Sequence, residues 1–131
     1  MVKLTLSKGL QFIVQDDNNH KMIIDTSKDV GGFDEGFHPM DLLLVSIAGC
    51  IAMDIVSILK KKGGKIHEFE AIVKGKRAEK HPKLYEKIEL EFKCVGEYKR
   101  TDLLRSLELS RDKYCGAYAT LQKPPEIKFV I

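Results

Sequence analysis

Cysteine is scarce in this chain: Cys50, Cys94 and Cys115 are the only three, an odd number with no Cys-x-x-Cys pair. That argues against a secreted disulfide scaffold and against a zinc ribbon. The chain opens Met1-Val2-Lys3 with neither a basic segment nor the apolar core of an export signal, so the expected setting is a reducing cytoplasm. A strong excess of one charge is also missing. Twenty-two Lys and Arg against nineteen Asp and Glu leave +3, interspersed along the chain, which is no electrostatic footprint for nucleic acid. Internal repeats and low-complexity tracts are absent. What remains is 131 residues, 44% hydrophobic and 31% charged, enough for one folded domain over residues 1–131 and short for a two-domain enzyme.

One long apolar run stands out. From Leu42 to Leu59 the eighteen residues carry a single charge, Asp54, and Lys60-Lys61-Lys62 follow. A bilayer core wants about 20 apolar residues, but Asp54 at mid-segment and the hydroxyls of Ser46 and Ser57 are costly in hydrocarbon. The run therefore reads as a buried central helix, apolar on nearly all sides, and no membrane partner is expected. Pro39 suits the first helical position and Asp41 the first turn, while the lysines suit the last turn and Gly63-Gly64 a left-handed stop. The spacing predicts a helix from Pro39 to Lys62.

Elsewhere the apolar period is two. Val2, Leu4 and Leu6 form one strand, Leu10, Phe12 and Val14 a second, and Met22 to Ile24 a third, which together make a meander. After the helix, Phe69, Ala71 and Val73 share one face of a strand, and Leu84, Ile88, Leu90, Phe92 and Cys94 one face of the next, with a basic turn-like link from Gly75 to Lys83. Thr101 is the expected N-cap of a helix whose apolar side is Leu103, Leu104 and Leu107. A short segment follows Cys115, and Pro124-Pro125 precede a last strand, Ile127 to Ile131. Strands grouped around helices indicate an α+β fold with antiparallel sheet. So small a sheet covers only part of so apolar a helix, and a second copy of the chain is the expected source of the rest.

The three cysteines have different settings. Cys94 is in register with the core positions of its strand and reads as a buried hydrophobe. Cys50 lies mid-helix among Ser46, Met53 and Asp54, far from the helix N-terminus whose dipole lowers some thiol pKa values, so an inert and a reactive thiol both fit there. Cys115, in Lys113-Tyr114-Cys115-Gly116, ends a helix at a partly exposed junction and is equally open to both readings.

The string from Phe37-His38-Pro39-Met40-Asp41 through Ile47-Ala48-Gly49-Cys50 to Lys60-Lys61-Lys62, together with Ser110-Arg111-Asp112-Lys113-Tyr114-Cys115, resembles the OsmC/Ohr family of osmotically inducible and organic hydroperoxide resistance proteins. The resemblance covers nearly the whole chain and includes the order of strands and helices. It implies an intertwined homodimer with antiparallel sheet wrapped around long central helices. It also implies a thiol peroxidase without metal or haem, in which Cys50 attacks an organic hydroperoxide or hydrogen peroxide, Cys115 resolves the sulfenic acid as a disulfide, and a thiol reductant restores both. Phe33, Phe37 and Met40 would line an apolar pocket for an alkyl tail; ordinary core or dimer packing is their other reading.

The resemblance is closer to a subgroup with Ser-Pro-Met-Glu wording than to the better known branch. That branch has a Glu ten residues before the first cysteine, where this chain has Met40 with Asp41 beside it, making Asp41 the candidate for the acidic role. It also uses an Arg from its N-terminal strands, whereas the first arginine here is Arg77, so Lys8 or Arg77 would have to serve. His20, His38, His67 and His81 lack the spacing of a metal site and read as solvated, so neither metal nor other cofactor is expected. The basic run from Lys74 to Lys83 reads as a solvated loop. The alternative from another class is a non-enzymatic protein on the same scaffold that binds an apolar small molecule or senses redox state through its cysteines.

Overall fold

The computed structural model describes all residues, 1–131, and its contacts gather in two compact units, Met1–Leu43 and Leu44–Ile131. In the first unit, β1 (Val2–Lys8), β2 (Gln11–Asp16) and β3 (Lys21–Ile24) form the antiparallel meander that the alternation predicts. Leu4 pairs with Val14, and Phe12 with Ile24. The tight turn between β1 and β2 needs Gly9, whose φ is +51° and whose place would put a Cβ 2.9 Å from the Phe33 ring.

The loop from residue 25 to residue 37 is organised by a buried carboxylate. Asp25, only 2% exposed, accepts hydrogen bonds from the Thr26 amide (2.8 Å), Gln11 Nε2 (3.1 Å), and the Phe33 and Glu35 amides (both 3.2 Å). Burial pushes this carboxyl up, but those bonds outweigh it and hold Asp25 below the ordinary carboxylate value. The same loop sets Glu35 against Lys8 at 2.9 Å, and Lys8 Nζ lies 4.2 Å over the Phe33 ring.

α1 (Pro39–Lys61) starts at the proline and stops one residue short of the expected Lys62, where Gly63 turns left-handed (φ +83°) and the Gly64 amide bonds the Leu59 carbonyl at 2.9 Å. By length and composition it could cross a bilayer. Here it serves as core, because Ile47, Ile51, Ile55 and Leu59 recur every four residues as a buried stripe.

That stripe packs on a hairpin of β4 (Lys65–Arg77) and β5 (Tyr85–Glu97). Phe69 pairs with Cys94, Ala71 with Phe92 and Val73 with Leu90, so the expected faces hold, although Ala71 itself is exposed. A bulge between Ile66 and Glu68 adds one residue and returns Ile66 to the face of Phe69 despite the odd spacing. The link predicted from Gly75 is shorter than expected, since β4 continues to Arg77 opposite Tyr85.

Three expectations about the last third are corrected. α2 (Arg100–Leu109) is capped by Lys99, whose carbonyl accepts the Asp102 and Leu103 amides, so Thr101 lies inside the first turn. Its inner side is Leu103, Leu107 and the fully buried Ser106, whose hydroxyl bonds the Leu103 carbonyl, while Leu104 is 50% exposed. The segment after Cys115 is a helix, α3 (Gly116–Gln122). Ile127–Ile131 form no strand: Phe129 and Val130 are exposed, and within one chain the segment has no strand beside it to satisfy its amides and carbonyls.

Candidate functional site

Cys50 and Cys115 come together in the second unit. Cys50, half-buried on α1, packs against the core cluster that contains Cys115 and is near enough to push the Cys115 thiol up. Both are free thiols. Cys115 is 3% exposed, not the partly exposed junction expected. The reason is a π turn over Ser110–Tyr114, closed by the Cys115 amide on the Ser110 carbonyl at 2.8 Å. The widened turn rotates Cys115 inward and leaves Tyr114 outside, 51% exposed.

Cys115 also caps α3, its sulfur accepting the Tyr118 amide at 3.2 Å. Burial pushes its thiol above the ordinary cysteine value and the adjacent Cys50 adds to that, against the opposing amides of Tyr118 and Ala117. The pair is thus asymmetric, with an accessible thiol on α1 facing a buried thiol that holds its proton. Such a pair can pass between dithiol and disulfide.

Of the other expected residues, Lys8, Phe33, Phe37, Met40 and Asp41 belong to the first unit, Arg77 and Cys94 to the second. Asp41 is exposed in the first turn of α1, nine residues before Cys50 on the same helix. Phe37 and Asp41 line a cavity of about 700 Å³ in the first unit with Met22, Ile23 and His38, which makes its wall mixed and not purely apolar. Phe33 sits under the Lys8 ammonium instead, and Met40 is half-buried. Lys8 is engaged by Glu35. Arg77 donates from Nε to the Lys83 carbonyl at the tip of the hairpin, eight residues along β4 from Phe69 and so about 26 Å away. Cys94 packs on the core as expected, its carbonyl accepting the Tyr98 hydroxyl at 2.7 Å.

Sequence reading passed over one contact beside the cysteines. Ser110, fully buried, donates its hydroxyl to Asp54 Oδ2 at 2.7 Å across 56 residues of chain. The signal was present, since Asp54 is the single charge in the Leu42–Leu59 run and stands one turn from Cys50.

Comparison with known proteins follows the same lines. Residues 32–130 match the family model described as OsmC-like protein. The protein YhfA of Escherichia coli is 31% identical over 121 residues, 92% of this chain and 87% of that protein. Among solved structures, a hypothetical protein from Aquifex aeolicus shares 35% identity with a TM-score of 0.82, covering 95% of this chain and 87% of its own. An organic hydroperoxide resistance protein from Elizabethkingia anophelis, 17% identical, shares the fold at a TM-score of 0.61 over 94% of this chain and 89% of its own. The mixed helices and antiparallel sheet, three helices and five strands, are those of OsmC-like structures, and the chain belongs to the OsmC-like protein family.

Proposed function

We propose that this protein is a two-cysteine hydroperoxide reductase, with Cys50 as the peroxidatic and Cys115 as the resolving thiol. One observation carries the reading: two free thiols gathered in one cluster, the accessible one on α1 and the protonated one buried in the core beneath it. In the first step the Cys50 thiolate attacks the distal oxygen of an organic hydroperoxide or of hydrogen peroxide. An S–O bond forms, the O–O bond breaks, and the alkoxide or hydroxide leaves with a proton as alcohol or water. The Cys115 thiolate then attacks the Cys50 sulfenic acid, forming S–S and expelling hydroxide, which is released as water. A thiol reductant supplies two electrons to restore the dithiol. No cofactor enters this cycle, and Asp41 keeps at most a supporting acidic role.

The proposed setting is cytoplasmic and the proposed assembly a homodimer. Half-buried and exposed apolar residues on α1, Val45 (50% exposed) and Met53 (71%) among them, support a second copy as cover. The family match, residues 32–130, crosses the boundary between the compact units at Leu43, and a single domain over residues 1–131 is the proposed organisation.

A second reading, a small-molecule-binding or redox-sensing protein, is favoured by the charges. The nearest charge to Cys50 along α1 is the anion Asp54, and Arg77 is held at the hairpin tip. Stopped-flow consumption of cumene hydroperoxide and hydrogen peroxide decides between them. Under the peroxidase reading, wild type loses two thiols rapidly, Cys50→Ser is inert, and Cys115→Ser stalls as a sulfenic acid. Equal and slow reaction of all three proteins would leave the binding or sensing role.

A further inference from the structure

We propose that Asp54 and Ser110 are positioning residues that hold Cys115 within reach of Cys50. The proposal deepens the peroxidase reading and rests on it for its chemical use. On α1, Cys50 and Asp54 stand one turn apart on one side of the helix. Facing them are Cys115 and Ser110, joined to each other by the amide-to-carbonyl bond of 2.8 Å that closes the π turn. Two rungs therefore connect α1 to this turn. One is the packing of Cys50 on the cluster that contains Cys115; the other is the 2.7 Å bond from the Ser110 hydroxyl to the Asp54 carboxylate.

The second rung fixes the first residue of the segment whose last bond orients the resolving cysteine. Ser106 and Ser110, both fully buried, lie four residues apart on the inner side of the helix. In an uninterrupted α-helix the next inward position would fall at 113 or 114. The π turn adds a residue, so Cys115 takes that place. With α-helical spacing in place of this turn, Cys115 would point away from the inner side. The part-buried hydrogen bond from Ser110 to the Asp54 carboxylate holds the turn as it is.

The proposal is tested by the equilibrium protein-(SH)2 + GSSG ⇌ protein-S2 + 2 GSH, read by thiol counting, in wild type, Ser110→Ala, Asp54→Leu and Asp54→Asn. Ser110→Ala and Asp54→Leu are expected to lower the equilibrium constant about tenfold, and Asp54→Asn, which keeps an acceptor oxygen, to retain most of it. With cumene hydroperoxide, Ser110→Ala should lose the Cys50 thiol at the wild-type rate but form the disulfide about tenfold more slowly. If Ser110→Ala does not fold, the two Asp54 variants carry the comparison. An unchanged equilibrium constant in folded Ser110→Ala or Asp54→Leu, with equal loss of thermal stability in the dithiol and disulfide forms, would show a merely structural bond and overturn the proposal. If wild type ignores hydroperoxide, the peroxidase reading fails, while the glutathione equilibrium still decides whether these residues position the pair.

Discussion

At the scale of single residues, the asymmetry between the two thiols sets a pH dependence. Cys115 is shifted upward by burial and by Cys50, so its thiol is protonated at neutral pH and its thiolate fraction grows as pH rises. Disulfide formation from the Cys50 sulfenic acid should therefore accelerate between pH 7 and pH 8, by up to about tenfold if proton loss from Cys115 is limiting. Following sulfenic acid decay by stopped flow across that interval checks this, and a flat profile would mean that Cys115 is not the attacking group. The burial behind the shift was hidden in the sequence. Lys113-Tyr114-Cys115-Gly116 reads as a polar helix end, and an inserted π residue leaves no periodic trace when the flanking inward positions are serines. Cys94, with Leu90 and Phe92 on its strand face, was legible because an alternation of five positions allows only one orientation.

Secondary-structure elements tell the same story with different residues. α1 could be placed to within a residue because proline, aspartate, lysines and the glycine stop all agree with the apolar run between them. Its inner stripe predicts a sharp contrast. Leu59→Ala, at a fully buried position, should lower stability by about 3 kcal/mol in urea titration. Leu104→Ala, on the exposed side of α2, should change it by less than about 0.5 kcal/mol. Similar losses at the two sites would mean that α2 packs with the register the sequence suggested and not the one found. That register was misread because three leucines outrank two serines by hydrophobicity, whereas Ser106 and Ser110 are buried with their hydroxyls bonded to the Leu103 carbonyl and to Asp54. Ile127–Ile131 alternate as a strand should, but a strand also needs a neighbour, and composition does not say whether one is supplied.

For the whole molecule, the test is mass. A stable homodimer predicts sedimentation at twice 14.9 kDa, and Met53→Asp on the exposed side of α1 should shift the equilibrium toward the single chain. A wild-type protein that sediments as one chain at micromolar concentration would remove the proposed cover. The cover that the chain provides for itself comes late in translation. α1 leaves the ribosome before β4 and β5 exist, and the strands that shield Ile55 and Leu59 extend to Glu97. At ordinary elongation speed that interval lasts on the order of a few seconds. During it the nascent chain presents an uncovered apolar helix, a natural substrate for ribosome-associated chaperones, and Cys50 waits without a partner until Cys115 has been made.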